Sequence, residues 1–419
     1  MASIDELLKN TNFTAADRSK VTFLPDPPRQ ERKYTFISVD DHIVEPPDTF
    51  EGRMPAKFVD RAPKLIDSGG AHLWVYDGNE FPNVGFNAVV GRPVDEYSME
   101  PSHFDDMRRG AWDIHERVKD MDLSGVYASL CFPSFLPGFA GQRIQLSTKD
   151  SELALATVRA WNQWNLEAWT GAYPDRMIPC QLPYFLDPEV GAKEIYRNAE
   201  LGFKAVTFSE APHMLGLPSL HTGHWDPIMR ACADTGTVIN LHIGSSGTSP
   251  STSDDAPPDV VGVLFFAYAM FAAVDWLYSR IPVRFPDIKI VLSEGGIGWV
   301  PGLVDRLNHM LSYHSMYGTW SGIDLTPAEV LLRNFYFCAV EDPSSFALRD
   351  VIGVDHIFLE QDYPHCDSTW PYTQKTIDEE IGGLPADDIR KMTWENASVV
   401  YRHPVPTAVQ RDPNAYGGS

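Results

Sequence analysis

TFISVDDHIVEPP, residues 35–47, carries an apolar run, Phe36, Ile37 and Val39, straight into Asp40, Asp41 and His42. Side chains alternate faces along a strand, so Asp40 and His42 share one face and Asp41 points the other way. Two metal-capable groups at the end of a buried strand make half of a metal site. The competing reading is a strand that ends in an Asp-Asp turn with His42 packed nearby. Recurrence separates the two, because three later strands end in the same kind of residue.

Working outward, the chain alternates apolar strands with helical stretches. A charged helix, Asp105 to Leu123, precedes a strand at Gly125 to Phe132 and a long helix from Lys149 to Tyr173. Strands follow at Met177 to Leu182, Phe203 to Phe208, Val238 to Ile243, Ile288 to Ser293, Phe335 to Val340 and His356 to Leu359. Helices at Pro188 to Leu201 and Asp226 to Thr235 lie between them. With Tyr34 to Val39 as the first, eight strands joined by helices imply parallel pairing through right-handed crossovers. The expected class is α/β, a (β/α)8 TIM-like barrel with its site residues at the C-terminal strand ends. A doubly wound open sheet competes, but no Gly-rich phosphate loop follows any strand. The boundaries read as a polar arm over 1–33, the barrel over 34–403 and a tail over 404–419. Insertions at about 46–92 and 245–286 are expected over the C-terminal mouth. The first carries the turn signal Asp77-Gly78-Asn79 between two strand-like pieces.

Of 419 residues, 43% are hydrophobic and 12% aromatic, ample for a packed core. The net charge of -23 argues against nucleic acid or an anionic membrane surface as partner. It leaves an anionic substrate open, since a bound cation inverts the local field. The five cysteines are scattered and form no CxxC pair, which fits a reduced, cytoplasmic setting better than a disulfide framework. The N-terminus lacks the basic start and apolar core of a signal peptide. Val260 to Ala273 is strongly apolar but reads as too short for a membrane span, and so as a buried helix lining a pocket. A small-molecule substrate is the expected partner, and a homo-oligomer stays open.

His242 sits in INLHIGSSG and Asp362 in IFLEQDYPHCDSTWP, each where an apolar strand meets a loop. Singly, such residues are usually hydrogen-bonded structural groups or caps. Together, Asp40, His42, His242 and Asp362 come from the first, fifth and eighth strands, and in a closed barrel the first and eighth are neighbours.

On VDDHIVEP, INLHIG, IVLSEGGIGWVP, LEQDYPHCDSTWP and the closing TWENASVVY with Asn396, the chain resembles the amidohydrolase superfamily. The resemblance runs from about Tyr34 to Arg402. It points to the amidohydrolase 2 branch of metal-dependent hydrolases and non-oxidative aromatic-acid decarboxylases. It implies Asp40 and His42 as the first-strand ligand pair, His242 as the fifth-strand ligand, and Asp362 as the eighth-strand ligand and general base. Where many relatives place a His after the sixth strand, this chain has Glu294, expected as a ligand or as the catalytic acid. Two His and up to three carboxylates form a hard set that suits zinc, manganese or iron, as one or two ions. Glu45 is a possible extra ligand or a loop anchor; Glu210 and His365 are expected to orient ligands. His213, His221 and His224 fit no compact metal motif, and Trp299, Trp370, Phe265 and Phe266 read as core or pocket wall.

The expected activity is a metal-dependent hydrolase or decarboxylase-type lyase acting on a bulky, largely apolar carboxylic acid, amide or ester. Two alternatives are a non-heme iron, possibly diiron, monooxygenase on the same barrel, and a barrel that only binds a ligand.

Overall fold

A computed structural model describes residues 2–3, 21–98, 101–134, 136–249, 251–253, 255–257, 259–339 and 342–417. Most of the expected polar arm (1 and 4–20) and Val340 of the expected seventh strand lie outside the described residues. The barrel strands are β1 (Ile37–Ile43), β2 (Ala128–Pro133), β3 (Met177–Ile178 and Cys180–Gln181), β4 (Ala205–Phe208), β5 (Val238–His242), β6 (Ile290–Ser293), β7 (Phe335–Ala339) and β8 (Ile357–Leu359). Pro179 splits β3, since proline offers no N–H to a ladder. All neighbouring pairs run parallel: β1 with β2, β2 with β3, and then in sequence from β3 to β8. The last seam, β8 against β1, is tied just beyond the strand, where Asp362 N–H donates to Asp40 O at 2.9 Å and His42 N–H to Tyr363 O at 2.7 Å. The (β/α)8 expectation holds.

Period-two alternation divides each strand between two cores. Ile239, Leu241, Ile290 and Leu292 pack outward against the helices. Ile37, Val39, Val238, Val291, Cys338 and Phe358 face the interior, where Val400 and Tyr401 of the C-terminal segment close the floor. The tail joins this floor through Val405, Val409 and Tyr416. β1 breaks strict alternation. With Ile37 and Val39 inside, Asp41 would be inside too, but the pairing with β2 shifts between Ser38 and Asp41. This bulge resets the phase, turning Asp40 and His42 inward and Asp41 outward.

The helices start and stop by local chemistry. The Asp113 carboxylate caps α1 (Ile114–Ser124), Asp150 caps α2 (Ser151–Trp164), and Asp187 with Pro188 opens α3 (Pro188–Leu201). The insertion after β1 forms a three-stranded antiparallel sheet, Lys64–Ser68, Ala71–Tyr76 and Asn79–Phe81. Asp77 and Gly78 take the positive φ of the expected tight turn. This sheet lies along α2, with Thr157 Oγ1 reaching Tyr76 Oη at 3.3 Å and Arg61 bridging Asp77 and Asp150 at 2.7 Å each. The segment after it runs on to the β8 loop, where Val89 N–H donates to Pro364 O at 3.0 Å.

One expectation is corrected. The apolar stretch expected as a short, buried helix is a 20-residue helix, Asp259–Tyr278, long and apolar enough by length and composition to cross a membrane, and only seven of its residues are buried. It continues past Asp275 because that carboxylate lies at the surface, 2.7 Å from His221 Nε2. Its inner face packs Tyr268 and Ala269 on Ile243, while Val263, Phe266 and Phe271 are exposed.

Candidate metal centre

His42 and His242 meet at the C-terminal mouth with their Nε2 atoms 3.1 Å apart. His242 Nδ1 lies 2.6 Å from Ile243 O, a carbonyl that can only accept, so Nδ1 carries the proton and Nε2 presents a lone pair. Asp40 straddles the two rings, with Oδ1 3.5 Å from His42 Nε2 and Oδ2 3.4 Å from His242 Nε2. Asp362 Oδ1 adds a third side at 3.3 Å from His42 Nε2, and Glu294 Oε2 stands 3.5 Å from His242 Nε2. Asp40, His42, His242 and Asp362 are fully buried. The structure therefore brings together the five residues expected as ligands.

Electrostatically, this cluster is unbalanced. Burial pushes Asp40 well above the ordinary carboxylate range, reinforced by Glu360 and Glu294. Burial does the same to Asp362, helped by Asp367, Glu294 and Asp40, and to Glu294, helped by Asp367 and Glu360. It lowers His42 strongly and His242 to about 3, so both rings are neutral. Among the described residues, the four oxygens of Asp40 and Asp362 are sealed from water and receive no well-aligned hydrogen bond, the nearest approach being His365 Nδ1 at 2.9 Å from Asp362 Oδ1. Buried oxygens left this way are costly unless a cation fills the space between them. Donor atoms around an ion at about 2.1 Å stand about 3.0–3.4 Å apart in octahedral or tetrahedral geometry. The observed spacings of 3.1 to 3.5 Å match that range. These residues fit a divalent cation.

Backbone geometry supports the aim of two of these carboxylates. Glu294 and Asp362, at the ends of β6 and β8, have φ of 56° and 55°, the left-handed region that non-glycine residues seldom enter. Such strain costs on the order of 1–3 kcal/mol per residue and gathers at functional sites.

Glu45 and Glu210 stand outside the cluster as anchors. Glu45 accepts from Ser134 N–H at 3.2 Å and Trp161 Nε1–H at 3.1 Å, fastening the β2 loop to α2. Glu210 receives Gly244 N–H at 3.2 Å and Ser246 Oγ–H at 2.7 Å, and also bonds Ser245, so it fixes the loop that carries His242. His365 lies closer in, with Nδ1 2.9 Å from Asp362 Oδ1 and its ring 3.9 Å from that of His42. Asp41 faces the helices, where its oxygens accept from Ser129 and from Tyr363 N–H and the Arg117 guanidinium offsets its charge.

Three members of the site escape a reading of the sequence alone. Glu360 receives Glu294 N–H on both oxygens, at 3.1 and 3.2 Å, and burial lifts its pKa to about 8. Its signal is alternation, since Phe358, Glu360 and Asp362 follow at steps of two. Asp367 groups with Glu294 and Asp362 from a loop that carries no periodicity. Phe139 covers the centre, its ring 4.8 Å from His42 and 4.3 Å from His242. Together with Phe86, Gln142 and Arg143 it leaves a cleft of about 30 Å³ above the centre.

Comparisons with known proteins agree with this architecture. A family model described as amidohydrolase matches residues 69–403. An amidohydrolase from Mycobacterium avium subsp. paratuberculosis K-10 superposes with a TM-score of 0.67 at 22% identity, covering 88% of this chain and 100% of its own. A 5-carboxyvanillate decarboxylase from Novosphingobium aromaticivorans DSM 12444, complexed with manganese and 4-hydroxy-3-methoxy-5-nitrobenzoic acid, gives 0.63 at 18% identity, with coverages of 91% and 100%. A dihydroxybenzoic acid decarboxylase from Polaromonas sp. JS666, with bound manganese and 2-nitroresorcinol, gives 0.59 at 18%, with coverages of 92% and 100%. No curated protein matches in sequence.

Proposed function

This chain belongs to the amidohydrolase family, and on that premise we propose that it is a metal-dependent lyase that decarboxylates an aromatic acid. The observation that carries the reading is the set of buried, donor-free carboxylate oxygens facing two neutral imidazoles at one point. Two of the solved structures that share the fold are manganese-bound decarboxylases, one of 5-carboxyvanillate and one of dihydroxybenzoic acid, which supports this substrate class. A bound divalent cation supplies a Lewis acid for the substrate's oxygen atoms.

In this reading, Asp40, His42 and His242 hold the ion, with Asp362 and Glu294 completing the shell. Loss of carbon dioxide replaces a ring carboxylate with hydrogen, so one proton must reach carbon. Asp362 is the group placed to hold and hand over that proton, and His365 Nδ1 at 2.9 Å orients its carboxyl. Phe139 and Phe86 offer an apolar wall for an aromatic ring and keep water from the reacting carbon.

Metal analysis combined with a product assay tests the proposal. Purified protein is expected to carry at least one equivalent of divalent metal. It should release carbon dioxide from an ortho-oxygenated benzoate and place solvent deuterium at the vacated ring carbon. Full activity after complete chelation would exclude metal dependence. Turnover confined to amide or ester analogues, without carbon dioxide, would exclude the lyase.

A further inference from the structure

We propose that a cleft on the outside of the barrel, between the insertion after β1 and helices α2 and α3, binds a small amphipathic monoanion, a carboxylate on an apolar body. The cleft shares no residue with the metal centre, so the inference stands apart from the decarboxylase reading.

Size and lining give the first argument. The cleft encloses about 640 Å³, within the roughly 300–1,000 Å³ of small-molecule sites. Its floor is apolar, with Phe58 and Phe203 buried and Leu155 and Leu166 half-buried. Four cations, Arg53, Lys57, Arg159 and Arg197, stand around that floor. The chain carries 34 Lys and Arg against 57 Asp and Glu, so this grouping runs against its overall charge. An apolar floor under a cationic rim is complementary to an anion with an apolar body.

The ion pairs set the charge of the ligand. Lys57 pairs with Glu152, and Arg53 Nε stands 3.5 Å from Glu167 Oε2. Arg159 and Arg197 share one acid: Arg159 donates to both oxygens of Glu194, and Arg197 Nη2 lies 3.1 Å from Oε2. Four cations thus meet three carboxylates, which leaves one positive charge over. The Glu194 side chain is 6% exposed and those of Arg159 and Arg197 are 46% exposed, so the shared acid lies beneath and the guanidinium groups above. Arg53 adds a donor, because its Nε is buried and makes no hydrogen bond among the described residues.

The walls are held from behind. Arg53 Nη1 donates to the carbonyls of Asp48 and Thr49 at 3.1 and 3.4 Å, which ties down the turn that follows Glu45. Asn162 of α2 fixes Leu182 through both its amide atoms, at 3.0 and 2.7 Å, and Asn198 of α3 donates to Gln181 of β3 at 2.7 Å. Beyond α2 the helix widens into a π-turn, where Thr170 N–H donates to Asn165 O at 2.7 Å, and Leu166 and Glu167 of that turn line the cleft. Such turns gather at functional sites. A ligand seated here bridges the insertion on one side and the barrel helices on the other.

The test is calorimetric titration of the manganese-loaded full chain with octanoate and, separately, with neutral 1-octanol. Octanoate should saturate near one equivalent and bind at least about tenfold more tightly than 1-octanol. Hydrogen exchange should slow in 46–58, 151–167 and 194–203. Arg197→Gln leaves three cations against three carboxylates and should remove the preference for octanoate, which Arg197→Lys should restore. Ala156→Trp, which fills the cleft without changing its charge, should weaken both ligands at least about tenfold. Absence of saturable octanoate binding, or equal affinity for the two ligands, would overturn the site. Octanoate binding unchanged in both Arg197→Gln and Ala156→Trp, or protection confined to 242–249 and 361–367, would place the carboxylate on the metal centre and overturn it as well.

Discussion

Asn240 and His242 point into the barrel from the same strand, two residues apart, and their surroundings are opposite. Asn240 is fully satisfied: its Oδ1 accepts the Tyr401 hydroxyl at 2.6 Å, and its Nδ2 donates to Val206 O and Val238 O at 3.3 and 3.2 Å. One layer up, His242 faces the unpaired oxygens of Asp40. The same contrast appears across β1. Asp41 has Ser129, Tyr363 N–H and Arg117, while Asp40, one residue away, has no hydrogen-bond donor. One layer below the mouth and behind β1, Asn240 and Asp41 bring their own protein partners. At the mouth, the partner is left for something that binds. Donor-free carboxylate oxygens converging on two imidazoles, rather than burial alone, mark the functional end of the barrel.

The largest effect should come from removing one charge from each side of β1. Asp40→Asn should empty the inner metal position and lower turnover by roughly a thousandfold or more, as expected for loss of a metal ligand. Asp41→Asn should keep the metal and destabilise the fold by about 1–3 kcal/mol, because one of the buried hydrogen bonds that Asp41 accepts from Ser129 and Tyr363 N–H would be lost. Metal content and urea unfolding separate the two. Equal metal loss in both variants would end the contrast.

This contrast was partly legible in the sequence. Alternation in VDDHI put Asp40 and His42 on one face, and strand-end placement found His242, Glu294 and Asp362. Which face pointed inward depends on the bulge between Ser38 and Asp41, a pairing property that no local pattern encodes. Helix limits at Pro188–Leu201 and Asp226–Thr235 were readable because Asp, Pro and Gly punctuate them. The helix at Asp259–Tyr278 was misjudged because Asp275 looks like a terminator in sequence but finds a surface partner in His221. Asp367 and Phe139 lie on loops, where position is set by tertiary packing rather than periodicity.

A second, intermediate effect concerns pH in the stripped protein. Folding lifts Glu360 to about 8 and Glu45 to about 7, both by burial, above an unfolded value of 4.5. Between those limits the native state binds more protons than the unfolded one, so stability falls as pH rises. Full stabilisation is present below about pH 4.5 for these two groups and is lost through pH 7 to 8. Metal loading reverses the sign, because ligands must be deprotonated to bind and loading improves as pH rises. Melting of chelated protein should therefore move down by at least roughly 3 °C between pH 5.5 and 8, and melting with excess manganese should not. Parallel falls in both samples would mean that these carboxylates do not sense the ion.

The smallest effect tests whether the open side of the centre is closed by packing alone. Phe139 is partly exposed, its ring rests on both ligand imidazoles, and its backbone carbonyl is held by Thr207. The adjoining cleft of about 30 Å³ is far too small for an aromatic acid, so the Phe139 ring must move aside for substrate to enter. Because the ring is only partly buried, Phe139→Ala should cost about 1–2 kcal/mol, less than a fully buried Phe. It leaves Asp40, His42 and His242 in place, so metal content should be unchanged. Removing the cover should speed loss of the metal to a chelator by about tenfold. It should also lower kcat by a similar factor, because water then reaches the reacting carbon. KM should change less than kcat, since the wall on the Phe86 side remains. If metal loss to the chelator stays at the unaltered rate, Phe139 is not the cover, and the gate lies with another segment of the mouth.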